Sequence, residues 1–78
     1  MDFQNATDRM MELGASLREL ATELGVSHQA VMQARMDPST TSYRKPPEGW
    51  RDAILKIARR RQEGFEGLIQ ELEEENTR

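Results

Sequence analysis

Few residues of this chain could do covalent chemistry, and their spacing does not gather them. Cysteine is absent and His28 is the only histidine. Disulfides, thiolate metal sites and cysteine nucleophiles are therefore excluded, and one histidine makes no metal site. No Ser-His-Asp series has supporting context, and no glycine-rich run could cradle a phosphate. Glu19 and Glu23 lie at helical spacing and read as cap and surface rather than as an acid–base pair. An enzyme, a cofactor and a small-molecule ligand are not expected. What remains is recognition chemistry. Gln29 and Gln33 are amides one helical turn apart, each able to donate and accept hydrogen bonds. Tyr43, Arg44 and Lys45 are three consecutive donors of the kind that hold phosphate. Arg59-Arg60-Arg61 is a denser basic run, but charges on a helix usually form a solvated face. Arg59 stands one turn before Glu63, the spacing of a local ion pair.

The elements that position these residues are read from periodicity and caps. At 78 residues the chain can bury one small core. A composition rich in Leu, Glu, Arg, Ala and Gln, with few Gly and Pro, favours an all-α fold. Phe3, Ala6, Met10 and Leu13 trace one helical face, with Asp2 as cap and Gly14 as terminator. Ser16 and Glu19 form a capping box for a second helix whose stripe is Leu17, Leu20, Ala21 and Leu24. Gly25 stops it, and Ser27 caps a third helix from His28 to about Met36. Val31 and Ala34 face inward there, leaving His28, Gln29, Met32, Gln33 and Met36 outside. Residues 37–42 carry turn chemistry, and the following basic segment is extended because residues before proline disfavour helix. Pro47 suits the first turn of a fourth helix over 48 to about 74, either continuous or hinged near Gly64 and Gly67. Trp50, Ile54 and Ile57 are expected to complete the core.

The stretch Ser16–Met36, SLRELATELGVSHQAVMQARM, resembles the helix-turn-helix of lambda-repressor and Cro-type regulators. Ala21 is small where the two helices would cross, Gly25 supplies the turn, and Leu20, Leu24, Val26 and Val31 would lock their angle. The resemblance implies a four-helix helix-turn-helix domain over residues 1–61 that binds double-stranded DNA. It also implies that the start of the third helix reaches base edges in the major groove. The base-contacting residues would be His28, Gln29, Met32 and Gln33, with the glutamines suited to adenine and Met32 to a thymine methyl. Ser27, Arg35, Tyr43, Arg44 and Lys45 would contact the DNA backbone. The pattern Tyr43-Arg44-x-x-Pro47, followed by a helix, also resembles small phage regulators associated with anti-CRISPR operons.

Charge placement agrees better with a polyanionic partner than the net charge of −3 suggests. Residues 1–34 carry two basic and five acidic groups. Residues 35–61 carry eight basic and three acidic groups, and residues 62–78 carry one basic and six acidic groups. A polyanion responds to the local field. Beyond Arg61, Phe65, Leu68, Ile69 and Leu72 continue an apolar stripe that a lone helix would leave in water. Residues 62–78 are therefore read as an extension that dimerises the protein, presenting two recognition helices to an inverted repeat. In an antiparallel dimer the arginine run could approach Glu73-Glu74-Glu75 of the partner. The alternative is a protein-interaction module, with the helical motif as scaffold and the last helix docking a partner. No apolar run is long enough for a membrane span or an export signal, so the expected location is the cytoplasm.

Overall fold

The computed structural model describes residues 1–77. It is all-α, with helices α1 (Phe3–Glu12), α2 (Leu17–Leu24), α3 (His28–Ala34) and α4 (Trp50–Asn76). Each of the first three starts at a side-chain cap. Asn5 donates its backbone N–H to Asp2 Oδ1 at 2.8 Å, and Ala30 donates to Ser27 Oγ at 3.1 Å. At Ser16 the cap is reciprocal. Glu19 N–H donates to Ser16 Oγ at 3.1 Å, and Ser16 N–H donates to Glu19 Oε2 at 3.3 Å.

The exits of α1 and α2 share one geometry. Gly25, at φ 70°, turns the chain so that its own N–H reaches Thr22 O and the Val26 N–H reaches Ala21 O. Gly14, at φ 99°, does the same through Met11 O and Met10 O. These are the paired bonds that close a helix through a left-handed residue. Only Gly25, Val26 and Ser27 separate α2 from α3, which fixes their mutual angle.

The core lies where α1 and α2 pack on the first half of α4 and α3 packs on α2. Leu20 and Val31 are fully buried, joined by Phe3, Met10, Ala21, Ala34, Ala53 and Ile57. Trp50 and Ile54 are half-buried against this cluster, and the Phe3 and Trp50 rings meet edge to face, 5.3 Å between centroids.

Several expectations need correcting. Leu13 faces solvent, 68% exposed, because α1 ends before the stripe completes its last turn. Leu17 and Leu24 are half-buried rather than enclosed. Helix α3 stops at Ala34 rather than Met36, its final turn tightened by Arg35 N–H to Met32 O and Met36 N–H to Gln33 O. Helix α4 begins at Trp50, after Gly49 in a left-handed conformation, which leaves Pro47 outside it. It then runs 27 residues without a break, about 40 Å at 1.5 Å per residue. Gly64 and Gly67 cost about 1 kcal/mol each, but helix propagates through them from well-formed turns on both sides. The second half of α4 projects beyond the core, giving the molecule extents of 60 × 20 × 17 Å.

Candidate nucleic-acid interface

The outer face of α3 is built from both sides of the chain. Val31 and Ala34 anchor it inward, so Gln29 and Met32 are exposed and His28 and Gln33 half-exposed on one surface. Ser27 is exposed at its start. Its oxygen accepts the Ala30 N–H, and the hydroxyl keeps its own proton for an outside partner. The four side chains expected to meet bases thus share one surface.

The basic loop is tied to the same helix. Asp37 Oδ1 accepts from the Ser39 N–H at 2.9 Å and the Ser39 hydroxyl at 2.8 Å, a local turn that reverses the chain after α3. These two donors hold the Asp37 carboxyl below its ordinary value. The chain then returns, and the Arg44 N–H donates to Gln33 O at 3.4 Å. That bond fixes the backbone of Tyr43, Arg44 and Lys45 beside the C-terminal end of α3. Arg44 and Lys45 are exposed and Tyr43 is half-buried.

Arg35, expected among the DNA backbone contacts, is engaged inside the fold through one of its two terminal nitrogens. Its NH1 donates to Thr7 Oγ1 at 2.8 Å and to Asp8 Oδ1 at 2.7 Å. The Arg35 side chain is only 21% exposed. Thr7 is itself fully buried and donates to Phe3 O at 2.8 Å. The guanidinium therefore clamps the end of α3 to α1.

The arginine run is likewise drawn inward. Arg61 NH2 donates to Glu19 Oε2 at 2.8 Å, and Arg60 pairs with Glu23. Both acids lie on α2, so these pairs bind it to α4. Arg61 is the main reason the Glu19 carboxyl is held below the ordinary glutamate range, with the Ser16 N–H contributing. Arg59 makes no ion pair with Glu63 among the described residues. Arg51 lies over the Trp50 ring, 4.4 Å from its centroid, and donates to Met1 O at 3.0 Å.

The surplus charge of residues 35–61 is therefore partly neutralised by Asp8, Glu19 and Glu23. Among the described residues, the cations that remain without an acidic partner nearest α3 are Arg44 and Lys45. Glu19 and Glu23, read from sequence as cap and surface, also act as interhelical ion-pair partners. Thr7 could have been found, since it sits beside Ala6 on the Phe3–Met10 face. The Arg35–Asp8 contact carried no local signal.

The apolar stripe is where the periodicity put it. Phe65, Leu68, Ile69 and Leu72 are 62%, 48%, 52% and 50% exposed. It continues into an open groove of about 380 Å³ between α1 and α4, lined by Met10, Leu13, Ile54, Ala58 and Phe65 among others. Among the described residues, no group of acids and histidine is able to hold a metal, and no helix is long and apolar enough to cross a membrane. Comparison with protein-family models, curated proteins and solved structures finds no match.

Proposed function

We propose that this chain is a cytoplasmic, sequence-specific DNA-binding regulator, acting as a dimeric repressor on an inverted-repeat operator. The observation that carries the reading is the exposed face of α3, with Gln29, Met32 and Gln33 set on a helix that is fixed on three sides. The Gly25 turn fixes its entry, Val31 and Ala34 its base, and the Arg35–Asp8 clamp its exit. Rigid presentation matters because base readout requires donors and acceptors at defined positions. The role of α2 and α3 is that of a helix-turn-helix, α3 entering the major groove.

In this reading Gln29 and Gln33 hydrogen-bond to adenine edges, Met32 contacts a thymine methyl, and His28 reaches an adjacent base. Ser27, Tyr43, Arg44 and Lys45 hold phosphates and set register, while Arg35 positions α3. Residues 1–61 supply the DNA-binding unit. The stripe Phe65–Leu72 joins two copies, since burying one such side chain contributes roughly 1.5–3 kcal/mol.

The test is selection from a random duplex library at near-physiological salt, followed by sequencing of the retained DNA. An enriched inverted repeat is expected, and Gln29→Ala with Gln33→Ala should abolish the enrichment while leaving the helical circular dichroism intact. Each lost amide contact is expected to weaken specific binding by about 5- to 150-fold, the equivalent of roughly 1–3 kcal/mol. Retention of all sequences alike, with strong salt sensitivity, would overturn the reading. The exposed groove and stripe favour a second reading, a protein-interaction module. It predicts no enrichment and full retention of function in the glutamine variants.

A further inference from the structure

We infer that the uncovered face of α4 is covered by the same face of a second copy running antiparallel, with the two-fold axis at Phe65. The inference rests on the dimer of the proposed function and specifies its geometry. Three observations carry it.

The first is continuity. Phe65, Leu68, Ile69 and Leu72 follow the spacing of one helical face, and Ala58 lies on that face two heptads before Leu72. Groove and stripe are therefore one apolar strip, with a concave half beside α1 and a convex half projecting beyond the core. Two such strips pair concave to convex only when they run in opposite directions.

The second is charge. Between Arg51 and Arg61, α4 has five basic residues and one acid, and between Glu63 and Glu75 six acids and no base. A parallel pair would set the acidic halves side by side, whereas an antiparallel pair sets each acidic half along the partner's basic half.

Register is the third. An axis at Phe65 brings Leu72 over the partner's Ala58, into the groove beside Leu13. On the flank of the strip the same axis sets Glu73 on the side of the partner's Arg59, a cation that has no acidic partner within the described residues. The competing axis between Leu68 and Ile69 sets Leu72 over the partner's Phe65 instead, short of Ala58. With the axis at Phe65, the core-docked segments around Ala53 stand about 36 Å apart along the helix axis.

The absence of native cysteine makes disulfide mapping direct. Ala58→Cys and Leu72→Cys are prepared as separate single variants. Ala58 is exposed and Leu72 is 50% exposed in one chain, so neither change should unfold the monomer, which circular dichroism checks. The variants are oxidised alone and as a mixture, and sedimentation of the unmodified protein is run in parallel. The expected result is a covalent dimer of twice the 9.0 kDa chain mass in the mixture only, on a protein that sediments as a dimer. Cross-linking of each variant with itself would overturn the antiparallel geometry and leave the dimer standing. A dimer that cross-links in neither mode would overturn the register. Sedimentation as a monomer at high concentration would remove both the geometry and the dimer, leaving DNA binding to be judged by its own selection experiment.

Discussion

Replacing Arg35 with alanine separates two roles that the same residue could play. If its guanidinium clamps α3 to α1, the variant loses donors to Thr7 Oγ1 at 2.8 Å and Asp8 Oδ1 at 2.7 Å. A hydrogen bond to a charged group contributes about 1.5–3 kcal/mol when well shielded, whereas an exposed ion pair contributes about 0–1 kcal/mol. Here the Arg35 side chain is 21% and the Asp8 side chain 47% exposed, so water screens one side of the contact. Thr7 loses only an acceptor interaction, because its hydroxyl still donates to Phe3 O. The expected loss is about 1–2 kcal/mol, intermediate between the shielded and exposed cases. For a domain of this size that lowers the melting temperature by roughly 4–16 °C. Thermal melts followed by circular dichroism measure it, and a cycle with Asp8→Ala should return a coupling of about 0.5–1.5 kcal/mol. The same variant is then titrated with the selected duplex over a range of salt. A clamp leaves the slope of log K against log salt unchanged, while a phosphate contact reduces it by about one. Unchanged stability, or a slope reduced by one, would refute the clamp.

Three further outcomes are expected. Gly25→Ala places a Cβ at φ 70° with open space around it, so the cost is conformational alone, about 1–2 kcal/mol, read as a lower denaturation midpoint with an unchanged slope. Glu19→Gln keeps the reciprocal cap at Ser16 and removes the charge facing Arg61. Because the folded Glu19 carboxyl is held below its ordinary value of 4.5, its stabilisation is full above that pH and lost as pH falls through the folded value. The gap in melting temperature between wild type and Glu19→Gln should therefore be open at neutral pH and close on acidification; a gap that widens in acid would contradict the Arg61 pairing. Arg44→Ala with Lys45→Ala should weaken binding to all duplexes alike and reduce the salt slope by about two; loss confined to one sequence would instead make these residues base readers.

Sequence alone determined the elements whose signals are local. Asp2, the Ser16–Glu19 pair, Gly25 and Ser27 each act on backbone groups within five residues, so residue type and spacing suffice to place the starts of α1, α2 and α3 and the turn between α2 and α3. The periodicity of α4 likewise marked the stripe from Phe65 to Leu72 before any packing was known. Helix ends were less legible. Arg35 and Met36 fit a helical pattern, yet they close α3 in a tighter turn because the chain must bend at Asp37 and return Arg44 to Gln33 O. Leu13 fits the α1 stripe, yet α1 ends at Glu12 and leaves it at the helix terminus, on the rim of the open groove beside α4.

The charges were decided by tertiary structure. Arg35, Arg60 and Arg61 looked alike as members of a basic segment, but each is drawn to an acid on another helix, at Asp8, Glu23 and Glu19. A cap is a contact along the chain, and its geometry follows from the dihedral angles of a few residues. An interhelical ion pair depends on how two packed helices are rotated about their axes, and in this chain that rotation is set by the burial of Leu20, Val31 and Ile57 in the shared core.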